Sequence, residues 1–225
     1  MVRTITAARA TGALAALLLS GMPLGAQTID TQTGFGFRQW QFGGHTLGES
    51  FMAPANSVIQ TATLFVGSSS TTSFVGRLQQ WSGNANAGFV TAGTPVGPVL
   101  YTSGTRSVMG NAAQAVQFNL GGIALTAGTQ YVFYLSWLSG SGFSGYGPDQ
   151  GTSLPLNNYV GGDAVFYNDN FVLGDTPNAS TGYDAGFIAT FTPGIQAVPE
   201  PSTVALMGTG LLGLGALARR RNRAG

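Results

Sequence analysis

The sequence predicts an all-β domain, a two-sheet antiparallel β-sandwich of jelly-roll type with a closed barrel as the alternative, carried between two targeting segments. Three observations predict it. From Thr28 onward, short apolar runs are separated by Gly, Ser, Asn and Pro, and none of the runs has helical periodicity. There are 35 Gly and no Cys, so packing and strand pairing, not disulfides, must hold the chain. The two ends differ in character from the middle: six of the nine basic residues, Arg3, Arg9, Arg219, Arg220, Arg221 and Arg223, lie there.

The charge of the middle follows from that partition. Arg38, Arg77 and Arg106 stand against seven acids: Asp30, Glu49, Asp149, Asp163, Asp169, Asp175 and Asp184. A mildly acidic domain without clustered Arg or Lys excludes phosphate-backbone recognition, so no nucleic acid is expected as a partner. The stretch 27–197, about 170 residues, is long enough to bury roughly 70% of its unfolded surface and build one core.

Residues 1–26 read as a secretory signal peptide: two Arg without acids, an apolar run centred on Leu14 and Leu17 to Leu19, a break at Gly21-Met22-Pro23, and small residues at Gly25-Ala26. The apolar run is too short for a bilayer core of ~30 Å. Signal peptidase is the implied partner, with cleavage expected after Ala26.

The strands follow in order, about nine of them. Phe35 to Phe37 and Trp40 to Phe42 alternate in opposite phase, which predicts a bulge between Arg38 and Gln39. Val58 to Val66 is β-branched and ends at a loop, Ser68 to Ser70; Phe74 to Trp81 is the next strand, before a long turn over Ser82 to Gly88. Val99 to Thr102 is short, and Pro95 and Pro98 confine it to an edge. In Ala115 to Leu120, Val116, Phe118 and Leu120 share one face while Gln117 and Asn119 share the other, a half-buried strand. In Gln130 to Leu138 both faces are apolar, which predicts a central position or a face covered by a loop. Leu125 to Thr129 is a turn with Gly128 where positive φ is needed. Ala164 to Tyr167 and Phe171 to Leu173 flank Asn168-Asp169-Asn170, a hairpin signal. Phe187 to Phe191 closes the domain.

The C-terminal stretch 198–225 has three parts. Pro199-Glu200-Pro201 is a short extended motif, because two prolines remove backbone donors and restrict φ. Val204 to Ala218 is an uncharged segment expected to form a single transmembrane helix, short for the bilayer but extended by snorkelling of Arg219. Arg219, Arg220, Arg221 and Arg223 form a stop-transfer cluster that should stay cytoplasmic. Gly208 to Gly213 matches G-x-G-x-x-G, but no strand precedes it and no acid follows at the required distance, so it is not a dinucleotide site.

This order, Val198-Pro199-Glu200-Pro201-Ser202-Thr203, then a Gly- and Leu-rich segment, then an Arg run, resembles the PEP-CTERM sorting signal of Gram-negative bacteria. The resemblance is confined to about Ala197 to Gly225. It implies that an exosortase, a membrane cysteine transpeptidase, recognises Pro199-Glu200-Pro201 and cleaves nearby. It also implies a transient stay in the inner membrane and delivery to the cell surface or outside, in bacteria that make exopolysaccharide.

No catalytic constellation stands out, and the chain reads as a non-enzyme without a cofactor. His45 is the one histidine, and no G-x-S-x-G elbow accompanies it, so it reads as a loop residue. Glu49 is the one Glu of the middle, which leaves little for the paired carboxyls of a glycosidase. Asp163, Asp169 and Asp175, with Asn168 and Asn170, offer oxygen ligands for calcium, but without the spacing of a calcium loop; no metal is assigned. Trp81 and Tyr146, flanked by Gln, Ser and Gly, are candidate carbohydrate-stacking platforms. Trp40, Tyr159 and Tyr183 are weaker ones, and Trp137 reads as core. The expected role is therefore a non-catalytic surface or matrix protein, with exopolysaccharide as a candidate partner. An extracellular hydrolase such as a glycosidase and a purely structural matrix protein are the alternatives.

Overall fold

The computed structural model describes residues 25–32, 36–55, 57–83, 91–149, 159–166, 177, 179–180, 183–194 and 219. Residues 24–194 form one compact unit. Within it the described strands are all hydrogen-bonded into a single twelve-stranded sheet, and every pairing is antiparallel. The all-β expectation holds.

The sheet is organised by β4, Ser57–Trp81, which runs for 25 residues. Straight, it would be about 80 Å long. A domain of this size is only about 40 Å across, so β4 must bend. It does so between Val66 and Thr72, where its pairing with β7 (Arg106–Ala124) shifts register twice. Hydroxyls take over from the ladder there: Ser68 Oγ meets Thr72 Oγ1 at 2.7 Å and donates to the Gly142 carbonyl at 2.8 Å. The expected loop at Ser68 to Ser70 is thus a corner inside one strand. Polar side chains can make such a corner without breaking the chain's extended course.

Before the corner, β4 pairs with β12 (Phe187–Pro193) and with most of β7; β1 (Gln27–Asp30) adds to β12. After it, β4 pairs with β8 (Gln130–Ser139) on one side and with β6 (Pro95–Thr102) and the start of β7 on the other. From β8 the sheet continues through β3 (Thr46–Met52), β10 (Ala164–Phe166), β11 (Ala179–Ser180) and β5 (Thr91–Ala92). The two halves curl to face each other. Phe118 lies opposite Ala62 before the corner, Phe133 opposite Leu78 after it, and their rings are 5.1 Å apart. Phe51 on β3 and Phe187 on β12 share no ladder, yet their rings are 5.7 Å apart. One core, including Leu64, Phe74, Leu78, Leu135 and Phe191, fills the space between.

Several readings are met. In β8, Tyr131 to Ser136 are all buried, as expected for a strand apolar on both faces that sits between β4 and β3. In β7, Phe118 and Leu120 are buried while Gln117 and Asn119 are exposed. The strand is far longer than Ala115 to Leu120, because its first half pairs with β4 at and beyond the corner. Among the described residues β6 pairs only with β4, consistent with an edge. Gly128 has φ +69° in the turn and donates to the Ala53 carbonyl at 3.0 Å.

Others are corrected. β2 (Gly36–Gly44) pairs with β9 (Phe143–Asp149) without a break from Gly36 to Trp40; the shift falls between Trp40 and Gly44, not between Arg38 and Gln39. β1 and β9 were not expected as strands. β10 has β3 on one edge and β11 on the other. The rest of the expected hairpin, 167–173, lies outside the described residues, as does most of the 82–88 turn.

The signal peptide up to Leu24, the motif Pro199, Glu200 and Pro201, the segment 204–218 and Arg220, Arg221 and Arg223 also lie outside. Arg219 is exposed and helical. Among the described residues no helix is long and apolar enough to cross a membrane.

Candidate functional site

The most unusual chemistry inside the sheet is a set of buried acids. β3 has β8 on one side and β10 on the other, and its residues Thr46 to Phe51 are buried on both faces. Glu49 lies opposite Phe133 and Ala164 in the two ladders. It is in phase with Leu47 and Phe51, both core residues, and is 0% exposed. Asp163 and Asp184 are also fully buried, on the segments that precede β10 and β12.

Backbone bonds fix these segments to β3. Ser50 N–H and Ser50 Oγ–H both donate to the Asp163 carbonyl, at 2.9 and 3.1 Å, and Asp163 N–H donates to Ser50 Oγ at 2.9 Å. Ala185 N–H donates to Glu49 Oε2 at 2.8 Å, and Tyr159 N–H donates to Asp184 Oδ2 at 2.8 Å. Tyr159 Oη ties down the end of β3 by donating to the Met52 carbonyl at 3.2 Å. Gly162 is required by this closeness: a Cβ there would overlap the Ser50 carbonyl and sit 3.2 Å from Glu49 Oε1. Glu49 Oε1 itself is buried and has no hydrogen-bond partner.

The electrostatics follow from burial. Loss of water pushes the Glu49 carboxyl well above the usual carboxylate range, and the charge of Asp184 pushes it further. The Ala185 N–H opposes this, and Asp163 adds a smaller upward push. Burial also raises the Tyr159 phenol, against the pull of its bond to Met52 and with added repulsion from Glu49 and Asp184. The arrangement can hold a proton in the core. Among the described residues, no group of three or more His, Asp or Glu is placed to hold a metal ion.

The residues singled out from sequence fall as follows. Trp81 is only 4% exposed and forms a small second core with Val132, Tyr134 and Val165 on the other face of β8. Tyr146, on β9, is 6% exposed, with its ring against Gly67 and burial raising its phenol. Neither ring is open to a sugar. An aromatic with polar neighbours in sequence was the signal for a platform; the same pattern is produced by a strand whose aromatic side packs inward. His45 does lie in the bend between β2 and β3, but it is buried and stacks on Trp137 at 4.0 Å with rings 9° from parallel. Trp137 is half-buried at the margin of the core. Tyr159 and Tyr183 are half-buried. Asp163 is buried and close enough to Glu49 to act on its charge; Asp169, Asp175, Asn168 and Asn170, and the Trp40 side chain, are outside the described residues. The Glu49 site was missed, although Leu47, Glu49 and Phe51 share one strand face and so announce an acid on an apolar stripe.

A shallow surface depression lies where Gly25 and Gln27 meet Ser57 and Thr192, with no acid in its lining.

Residues 197–221 match the family model described as the PEP-CTERM protein-sorting motif. No curated protein and no solved structure matches the chain.

Proposed function

We propose that this chain is an exported protein whose tail is read and cut by an exosortase, and whose β domain then works, without catalysis, at the cell surface or in the extracellular matrix. The observation that carries this is the match at 197–221 to the protein-sorting motif. In this reading residues 1–26 direct secretion and are removed by signal peptidase. Residues 204–218 hold the chain in the inner membrane for a time, with Arg219, Arg220, Arg221 and Arg223 left on the cytoplasmic side. Pro199-Glu200-Pro201 is the segment recognised. The facing halves of the curled sheet act as a jelly-roll-like sandwich, and exopolysaccharide is the proposed neighbour of the finished protein.

A non-catalytic role is favoured by the placement of the acids. Glycosidic cleavage needs two carboxyls flanking a bound sugar. Glu49, Asp163 and Asp184, the acids that come together, are sealed from solvent.

The test is localisation with mass mapping of the mature C-terminus, in cells with and without exosortase activity. With the enzyme, the C-terminus falls close to Pro199-Glu200-Pro201 and the protein leaves the inner membrane; without it, the tail stays whole and membrane-bound. An intact tail in the inner membrane in both strains refutes the reading.

A further inference from the structure

We propose that Glu49 carries a proton on Oε1 in the folded protein, and that this proton is a pH-sensitive lock holding segments 159–163 and 183–186 against β3. The inference concerns the folded domain and stands apart from the sorting reading.

The geometry divides the two oxygens of one carboxyl. Oε2 accepts a backbone bond from Ala185. Oε1, equally buried, has no donor to accept from. An ionised carboxylate is acceptor-only, so this atom would be an anionic acceptor left unpaired in a core. A proton removes the charge, and with it the larger part of the cost of leaving that atom unpaired. The charges acting on Glu49 are of one sign: Asp184 on the segment before β12 and Asp163 on the segment before β10. Tyr159, from the same segment as Asp163, feels Glu49 and Asp184 in turn. The ladder neighbours across β8 and β10 are Phe133 and Ala164, which carry no charge. Among the described residues no cation acts on Glu49, and a proton removes the repulsion at its source.

Loss of that proton to water leaves a buried anion beside two acids. The strand cannot move, because β3 is held on both sides. The segments meet β3 through bonds at Ser50, Ala185 and Met52, while 183–186 is held on its other side by Phe65 and Thr31, so the contacts to β3 are what loosen as pH rises. The direction follows from linkage. The folded protein binds this proton more tightly than the unfolded chain does. Its contribution to stability is therefore whole below the unfolded value near 4.5 and is lost as pH rises toward the raised folded value. Over that window the folding constant falls by up to about tenfold per pH unit.

The test is chemical denaturation of the full chain in mild detergent across pH 5 to 10, beside Glu49→Gln. The amide keeps an acceptor for Ala185 and offers an uncharged donor where Oε1 stands. The expected result is a wild-type folding constant that falls with pH, and a Glu49→Gln curve that lacks this slope, with Ala185 and Asp163 amides exchanging faster in the wild type at high pH. Equal slopes in the two proteins refute the lock. So does a calcium-dependent stabilisation of the wild type that chelator and Glu49→Gln both abolish, since a cation then does the proton's work. If Glu49→Gln does not fold, infrared spectroscopy of the wild type decides: a protonated-carboxyl stretch at neutral pH is expected, and its absence overturns the proposal.

Discussion

Phe51→Ala tests whether the two halves of the curled sheet share one core. Phe51 is on β3, fully buried, and its ring reaches across to Phe187 at 5.7 Å and Phe191 at 6.0 Å on β12, as well as to Tyr131 at 6.2 Å on the adjacent β8. Truncating a buried Phe costs about 3–5 kcal/mol, the upper end applying where neighbours cannot collapse into the cavity. Here they cannot move far. β3 is fixed by ladders to β8 and β10, and β12 by ladders to β1 and β4. The expected loss is therefore about 4–5 kcal/mol. That is a large part of the roughly 5–15 kcal/mol of a whole domain. At about 2–4 °C per kcal/mol for this size, the midpoint falls by about 8–20 °C. Thermal unfolding followed by near-ultraviolet circular dichroism, with urea unfolding as the second probe, measures it. Val160→Ala, at an exposed side chain, is the control and should change stability by less than about 0.5 kcal/mol. A loss below about 1.5 kcal/mol for Phe51→Ala, with a single transition, refutes the shared core.

Three more outcomes are expected. Gly162→Ala drives a Cβ into the Ser50 carbonyl and should cost at least about 3 kcal/mol in urea, with the Ser50 and Asp163 amides losing exchange protection first. Thr31→Val removes a buried hydroxyl that donates to the Ala185 carbonyl at 2.6 Å and accepts from Phe187 N–H at 2.9 Å; about 1–3 kcal/mol should be lost, and an unchanged urea midpoint would count against the pairing. Glu200→Ala, or Pro199→Ala with Pro201→Ala, should leave the tail uncut in cells that process the wild type, seen as a heavier protein kept in the membrane fraction.

What could be read from the sequence was what neighbouring residues decide. β8 announced itself because Tyr131 to Leu138 is apolar on both faces, which needs cover on each side, from neighbouring strands or a loop. The half-buried face of β7 was legible from Val116, Phe118 and Leu120. Its first half was not, since Arg106 to Gln114 shows no alternation, with Val108 and Met109 adjacent and Gly110 and Asn111 after them, and it is a strand by lying along β4. Ser68 to Ser70 looked like a loop because local chemistry cannot tell a corner from a break; the bond from Ser68 to Gly142 that decides it spans 74 residues. The acid site has the same character. Glu49 in phase with Leu47 and Phe51 was visible, but its partner Ala185 is 136 residues away. Trp81 and Tyr146 show the converse error: composition around an aromatic says little about which side of the sheet it faces.

The pairing of β1 with β12 has a mechanical consequence. Gln27 lies beside Phe191, so the first and last strands run in opposite directions with their free ends at the same place. A pull applied between the two ends would open that ladder one bond at a time, like a zip. Freeing the N-terminal end changes the loading. Tension arriving through Pro193 then runs along β12, which is flanked by β1 and by the Ser57 to Leu64 stretch of β4. The ladder bonds on both sides share the load in shear, the stronger geometry against a pull on the C-terminal side.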